Sequence, residues 1–312
     1  MTTYAPPTPV LADDLVEQAI AAPESLRPWF TELARIPSGT DLSGSFTHIP
    51  QAATTIVLRA ETGGRREALV IGPRTRASYS VADRPASCTR VRIAPGAVGQ
   101  LLGVPAIELT DRILRLGELP GVAAELADDL AGLAADEIFA FLAAELPERI
   151  SEDRAVAAKR GLLRAATAAL SGSTPVHASA AELSVSERQL RNLFTAEIGV
   201  SPKLFARIGR VRHVITRVAG TPLAQIAADS GYYDQSHMAA DFKALMGVAP
   251  TGFFRGELPA PTTCANTPRP GGAYSRSSRA AFAAARSAAS AASMASASSS
   301  VGALPPRRAG TQ

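Results

Sequence analysis

Residues 1–150 contain short runs in which apolar and polar positions alternate, the period typical of β-strands. These runs cover residues 45–49, 54–59, 68–71, 78–82 and 88–93. Glycine and proline residues separate them, and such residues favour turns between strands. The pattern therefore predicts a small barrel or curled sheet in this part of the chain.

Two helical patterns follow the predicted strands, at residues 96–102 and 122–144. In the second, apolar residues recur at intervals of three to four: Leu126, Leu130, Leu133, Ile138, Phe141 and Leu142. Such a face packs against the chain's own sheet or, alternatively, against its copy in a dimer. We therefore predict an α+β fold in which residues 1–150 form a small β-rich domain with helices.

Residues 151–256 are helical by pattern, and the clearest signals lie between residues 221 and 247. Thr221 is a good N-cap residue, and Pro222 suits the first helical position. Gly231 permits a left-handed turn, after which Asp234 is placed to cap a second helix. The second helix buries Met238, Phe242 and Leu245 on one face. This order of elements predicts a helix-turn-helix unit.

A similar arrangement precedes it along the chain. Val176, Ala180 and Leu183 predict a short helix, and Ser184 with Glu187 has the S-x-x-E spacing of a capping box. The helix that this box opens directs Leu190, Phe194 and Ile198 inward and ends at Gly199. The chain therefore contains a second predicted helix-turn-helix unit.

The helix predicted between the two units covers residues 201–219 and opens with Ser201 and Pro202. Nineteen residues at 1.5 Å each span roughly 28 Å, close to the roughly 34 Å of one turn of duplex DNA. Such a rod can hold two recognition helices in successive segments of the major groove. We therefore predict an all-α domain at residues 151–256, with two helix-turn-helix units bridged by a long helix.

Charge divides along the chain in a way that supports this interpretation. Residues 1–150 carry 13 basic and 19 acidic side chains, whereas residues 151–256 carry 13 basic and 8 acidic ones. Residues 257–312 are rich in alanine and serine and are predicted to be a disordered, low-complexity tail. The helical segment is the part expected to meet a polyanion.

Cysteine and histidine are too few for a metal centre or a disulfide framework. The chain has two cysteines, Cys88 and Cys264, and four histidines without ligand spacing. We expect no cofactor and no metal. Residues 1–10 lack the layout of a secretory signal, and acidic residues interrupt the most apolar long stretch, so we expect a cytoplasmic, nucleoid-associated protein that contacts no membrane.

The helical segment resembles the DNA-binding domain of AraC/XylS-type transcriptional regulators. The resemblance rests on SERQLRNLF at residues 186–194, GVSPKLF at 199–205, QIAADSGY at 225–232 and DFKALMGVAP at 241–250. It implies a first recognition helix that presents Arg188, Arg191 and Asn192 to bases, and a second that presents Gln235, Ser236, Ala239 and Ala240. The basic residues expected on DNA phosphates are Lys203, Arg207, Arg210, Arg212 and Lys243.

Alanine at positions 239 and 240 departs from many relatives, which have a longer polar residue at one or both positions. Alanine can contact a thymine methyl group but forms no side-chain hydrogen bond, so the first unit is expected to carry most of the base discrimination. Tyr232 and Tyr233 are expected to brace the turn of the second unit, and Asp241 to fix a nearby arginine.

Residues 1–150 resemble, more faintly, an N-terminal module attached to some AraC-type regulators. The matching segments are LRPWF at 26–30, IGPRTR at 71–76 and residues 92–111. By analogy the module senses a signal or dimerises. The resemblance implies duplex DNA as the partner, with a small-molecule effector, RNA polymerase and a second copy of the chain as further candidates.

The sequence therefore predicts a sequence-specific DNA-binding transcriptional regulator, modulated by a ligand in one version of the hypothesis. One alternative is a nonspecific architectural DNA-binding protein, favoured by the basic tail and the two alanines. Another is a DNA-repair alkyltransferase, which a single N-terminal thiol at Cys88 argues against. No motif of a catalytic site occurs, so we do not expect an enzyme.

Overall fold

The computed structural model describes residues 10–11, 18–36, 45–61, 66–81, 86–150, 154–172, 174–216 and 221–263. The strands are β1 (Gln18–Ala21), β2 (Phe30–Ile36), β3 (Ser45–His48), β4 (Thr55–Glu61), β5 (Arg66–Ile71), β6 (Ser78–Val81), β7 (Ala86–Ile93), β8 (Ile113–Arg115) and β9 (Thr262–Thr263). The helices of the N-terminal part are α1 (Val98–Leu102), α2 (Val122–Glu125), α3 (Ala127–Gly132) and α4 (Ile138–Arg149). Those that follow are α5 (Arg154–Ser171), α6 (Val176–Glu182), α7 (Glu187–Glu197), α8 (Pro202–Thr216), α9 (Leu223–Asp229), α10 (Gln235–Met246) and α11 (Pro250–Phe254).

Six of the strands form one antiparallel sheet in the order β1-β2-β7-β4-β5-β8. All five predicted strands are present, with ends shifted by at most two residues. The alternation does not reveal β2, because its pairing shifts between Phe30 and Glu32 and because Leu33 and Ala34 are both buried. An irregularity of this kind removes the period of two that identifies a strand.

A smaller sheet joins distant parts of the chain in the order β3-β6-β9. β3 and β6 are antiparallel, and β9 lies parallel to β6 with Ser80 opposite Thr262. The segment that follows the helical region therefore returns to the N-terminal strands.

The helical pattern at 122–144 corresponds to three shorter helices, α2, α3 and α4. α3 ends at Gly132, and α4 begins six residues later. Between them, the backbone N–H of Ala134 donates to Glu137 Oε2 at 2.9 Å. Leu126, Leu130 and Ile138 are buried all the same, so the apolar stripe faces inward as predicted.

Two apolar clusters organise the helical part. One joins Leu163, Ala166 and Leu170 of α5 to Leu190 and other apolar side chains of α6 and α7. The other lies among α8, α9, α10 and α11 and also contains Ile49 and Tyr79 from the N-terminal strands and their flanks. The N-terminal part of the chain therefore contributes to the core of the second unit.

Residues 1–273 fall within one compact unit, and elements on both sides of residue 150 contact each other within it. The domain boundary placed after residue 150 stays a prediction. Almost all of the tail expected at residues 257–312 lies outside the described residues. Within the part of the chain that the structure describes, no helix is both long enough and apolar enough to cross a membrane.

Candidate nucleic-acid interface

The first helix-turn-helix unit consists of α6 and α7, joined by a turn at residues 183–186. The capping box lies two residues later than predicted. Ser186 Oγ accepts from the backbone N–H of Gln189, and the Gln189 side chain accepts from the N–H of Ser186. Ser184 instead has a φ of 55° and forms part of the turn, so the prediction that it caps the helix with Glu187 was wrong. A left-handed residue at 184 leaves Ser186 as the extended residue that an N-cap requires.

Helix α7 separates apolar and polar residues sharply. Leu190 and Phe194 are 0 % exposed, whereas Arg188, Arg191 and Asn192 are exposed. Neither arginine has a hydrogen-bond or ion-pair partner among the described residues. The three side chains predicted to read bases therefore share an open face of the helix, with donors that can bind guanine or adenine edges.

Helices α9 and α10 form the second unit. α9 begins at Leu223 with Pro222 as its N-cap, one residue later than the pattern predicts. Gly231 has a φ of 72° in the turn, as expected. Asp234 caps α10, because its Oδ1 accepts from the backbone N–H of His237 at 2.7 Å.

Helix α10 also presents one polar and one apolar face. Met238, Phe242 and Leu245 are buried, which confirms the predicted core positions. Gln235, Ser236 and Ala240 are exposed, and Ala239 is half-buried. This open face offers one amide and one hydroxyl group, followed by two methyl groups.

The bridging helix α8 covers 15 residues, Pro202–Thr216, or about 22 Å. Ser201 Oγ accepts from the N–H of Leu204 at 3.2 Å, as expected of an N-cap. Ile208, Val211 and Ile215 are buried as predicted. The last residues of the predicted helix, beyond Thr216, lie outside the described residues.

Three of the five predicted phosphate-binding side chains already have partners within the chain. Asp241 Oδ1 accepts from Arg207 Nε and Nη2, each at 2.8 Å, and its Oδ2 accepts from Arg210 Nη2 at 3.3 Å. Arg212 Nη1 donates to the carbonyl of Pro50 at 3.2 Å. Lys203 and Lys243 are exposed. The prediction that Asp241 fixes a nearby arginine is confirmed.

The two tyrosines of the second turn have opposite environments. Tyr232 is buried, its ring lies 4.9 Å from the guanidinium carbon of Arg210, and burial raises the pKa of its hydroxyl. Tyr233 is 94 % exposed, so the expectation that it braces the turn was wrong. Tyr232 alone packs against the helical core, and the sequence pattern has no signal that separates two adjacent tyrosines in a turn.

Candidate metal ligands do not cluster in the described part of the chain, where no three of its histidine, cysteine, aspartate and glutamate residues lie close enough to share an ion.

Comparison with known proteins supports the assignment of the helical region. Residues 179–256 match the family model described as a helix-turn-helix domain; the match begins within α6 and covers the rest of the first unit, the bridging helix and the second unit. No curated protein matches the sequence significantly.

Solved structures of regulators are similar only in part. The C-terminal domain of AraT, a response regulator from Geobacillus stearothermophilus, is 23 % identical, with a TM-score of 0.29 over 33 % of this chain and 90 % of that domain. ToxT from Vibrio cholerae O395 is 12 % identical, with a TM-score of 0.35 over 71 % of this chain and 95 % of its own. ToxT of strain SCE256 with bound unsaturated fatty acid is 14 % identical, with a TM-score of 0.33 over 73 % and 96 % of the two chains.

These overall similarities are too low to extend what those proteins bind to this chain. The match at residues 179–256 coincides with the two capped units described above. Residues 179–256 are therefore a DNA-binding helix-turn-helix domain of the AraC type.

Proposed function

We propose that the protein regulates transcription by binding specific duplex DNA, with α7 and α10 as recognition helices in successive segments of the major groove. The observation that carries this proposal is the open face of α7. Arg188, Arg191 and Asn192 are exposed there, on a helix whose opposite face is fully buried. A rigid helix with bidentate donors on its outer side suits direct readout of base edges.

Base discrimination rests mainly on α7 in this proposal. Arginine can bind guanine through two hydrogen bonds, and asparagine can do the same with adenine. On α10, Gln235 and Ser236 offer hydrogen bonds only in the first turn, and Ala239 and Ala240 offer contact with thymine methyl groups. The second unit therefore contributes mostly to the position of the protein along the duplex and to its affinity for DNA.

The exposed Lys203 and Lys243 are the first candidates to bind DNA phosphates. Arg207, Arg210 and Arg212 already donate within the chain, so only their remaining N–H groups are available to a phosphate while those contacts persist. Residues 151–256 have a net charge of +5, from 13 basic and 8 acidic residues, which favours association with DNA. A small-molecule effector, RNA polymerase and a second copy of the chain stay predicted partners.

The test compares specific and nonspecific binding at one salt concentration. A preferred site is first selected from random duplexes with the full-length protein. Affinity for that site and for a scrambled duplex is then measured by fluorescence anisotropy for wild type and for the double variant Arg188→Ala, Arg191→Ala. Each lost bidentate contact costs roughly 1–3 kcal/mol of preference, so the double variant binds both duplexes nearly equally.

The matched control removes the same charge elsewhere in the chain. Arg154 and Arg164 are exposed on α5, and replacing both with alanine weakens binding to the two duplexes in equal proportion. If the variant at 188 and 191 keeps its preference for the selected site, α7 is not the reading element. If wild type has no preferred site, the architectural alternative holds instead.

A further inference from the structure

The N-terminal region holds the C-terminal end of the second recognition helix. The backbone N–H of Ala77 donates to the carbonyl of Leu245 at 2.8 Å, and the Tyr79 hydroxyl donates to the carbonyl of Met246 at 2.6 Å. Both acceptors lie in the last turn of α10, where carbonyl groups have no partner within the helix. Tyr79 is buried, and burial raises its pKa to about 12, so the hydroxyl keeps its proton at neutral pH.

The same region also holds the end of the first recognition helix. Thr110 Oγ1 donates to the carbonyl of Gly199, directly after α7, at 2.8 Å. Gly199 has a φ of 87°, and a Cβ atom there would lie 2.7 Å from Thr110 Oγ1 and 2.9 Å from Pro73 Cγ. The turn that ends α7 is therefore packed closely against two N-terminal segments.

One short segment connects the two anchor points. We call residues 73–79 the strap, because Pro73 contacts Gly199 while Ala77 and Tyr79 bind the end of α10. Thr75 at its centre donates to Asp111 through its N–H at 2.7 Å and through its hydroxyl at 2.6 Å.

Further backbone bonds hold the first half of the strap in place. The N–H of Asp111 donates to the carbonyl of Pro73 at 2.8 Å, and Arg74 exchanges two backbone bonds with Gln51. A segment fixed at both ends and along its length behaves as a rigid spacer between the units.

We propose that the strap, together with Thr110, fixes the distance between the two recognition helices and their relative rotation. The two DNA segments that α7 and α10 read are called half-elements below, and the protein is therefore selective for one spacing between them. Thr110 and Tyr79 are positioning residues, and neither needs to contact DNA. This inference rests on the proposed function, since it requires that both helices enter the major groove. Helix α8 supplies one connection between the units, and the strap supplies the second.

Spacing selectivity is measurable because one extra base pair moves a half-element about 3.4 Å along the duplex axis and rotates it by about 35°. The experiment uses the full-length protein, the selected site, and versions of it with one base pair inserted or deleted between the half-elements. The ratio of affinities for the native and altered spacings is measured for wild type, Thr110→Val, Tyr79→Phe and the double variant.

We expect wild type to prefer the native spacing and each single variant to lose about three- to tenfold of that preference, the factor to which one net hydrogen bond amounts. The double variant loses more than either single variant. Thr110→Ser retains the donor and restores the wild-type ratio. Thr31→Val is the control, because the Thr31 hydroxyl bonds only within the N-terminal sheet, to the carbonyl of Arg92. Thermal unfolding of each variant is measured in parallel to show that it folds. If Tyr79→Phe does not fold, the affinity ratio of Thr110→Val alone tests the proposal.

The possible outcomes separate this inference from the function on which it rests. Sequence-specific binding with an unchanged spacing ratio in the variants overturns the inference and leaves the proposed function intact. An equal loss of affinity at every spacing also overturns it, because the hydrogen bonds then serve stability alone. Wild-type protein without any sequence preference contradicts the proposed function, and this inference with it.

Discussion

Two arginines on α8 have a partner within the chain that their position in the sequence does not reveal. Arg207 and Arg210 lie on a basic helix face, so the sequence assigns them to DNA phosphates. In the folded chain they bind Asp241, which lies 34 and 31 positions away. Asp241 is only 7 % exposed, and a carboxylate so deeply buried requires cationic partners. The cluster links the bridging helix to the second recognition helix.

Removing the carboxylate of Asp241 is therefore expected to destabilise the protein. Asp241→Ala leaves two partly buried guanidinium groups without their partner, at a cost of about 2–4 kcal/mol in the free energy of unfolding. Urea denaturation measures this change. Asp229→Ala is the control, because Asp229 is exposed and bonds only the neighbouring Gln225 in the described structure, and it shifts the value by less than about 0.5 kcal/mol. Equal effects of the two variants would mean that the cluster contributes nothing to stability.

Helices and their ends follow local rules closely in the second half of the chain. Ser186, Ser201 and Asp234 all cap helices through their side chains, and Gly231 and Gly199 both have a positive φ at a turn. Gly209 is different, since it lies inside α8, where glycine costs about 1 kcal/mol relative to alanine. Its surroundings are open: apart from its two chain neighbours and the nearby backbone of α8, no atom lies within 4 Å of a Cβ placed there.

Alanine is expected to have opposite effects at two of these glycines. Gly209→Ala raises the free energy of unfolding by about 0.5–1 kcal/mol, because it lowers the backbone entropy of the unfolded chain without a clash. Gly199→Ala lowers it by more than that, since a Cβ would lie 2.7 Å from the Ala106 carbonyl oxygen and the φ of 87° disfavours alanine. Chemical denaturation of the two variants checks both signs, and a stabilising Gly199→Ala would refute the close packing around Gly199.

The chain as a whole connects its N-terminal strands to the helix-turn-helix region through shared core and shared hydrogen bonds. Ile49 and Tyr79 belong to the same apolar cluster as Val211, Met238 and Phe242. β9, which follows the helical region, pairs with β6 next to Tyr79. A change in the N-terminal region therefore has a direct physical route to the second recognition helix.

Truncating Ile49 is expected to loosen α10 even though the two lie far apart in sequence. Ile49→Ala removes a buried side chain from the second cluster and costs about 2–5 kcal/mol, and amide hydrogen exchange in α10 accelerates. Ile56→Ala, in β4 of the large sheet, is the matched control with a similar loss of stability. Hydrogen exchange followed by mass spectrometry distinguishes them, because Ile56→Ala accelerates exchange in the sheet first. Identical exchange profiles would contradict the shared core.

Local sequence patterns were sufficient for most elements and for the exposure of Arg188, Arg191 and Asn192 on α7. Five strands, the two helix-turn-helix units and the inward positions Leu190, Phe194, Met238 and Phe242 follow from periodicity and capping, which are properties of neighbouring residues. The sequence-based prediction was wrong where two nearby residues both fit the same local pattern. The capping box at Ser186 rather than Ser184 is an example.

Contacts between distant residues were beyond any pattern in the sequence. The sequence predicts an arginine partner for Asp241, but not that the partners are Arg207 and Arg210. The entry of Ile49 and Tyr79 into the second core and the strap between Gly199 and the end of α10 also join positions more than thirty residues apart. The spacing of apolar residues and the propensities of residues indicate which way a side chain faces within its own helix or strand. They do not indicate which other helix or strand it contacts. Only packing of the whole chain, which brings residues far apart in sequence together and pairs most buried polar groups, fixes those contacts.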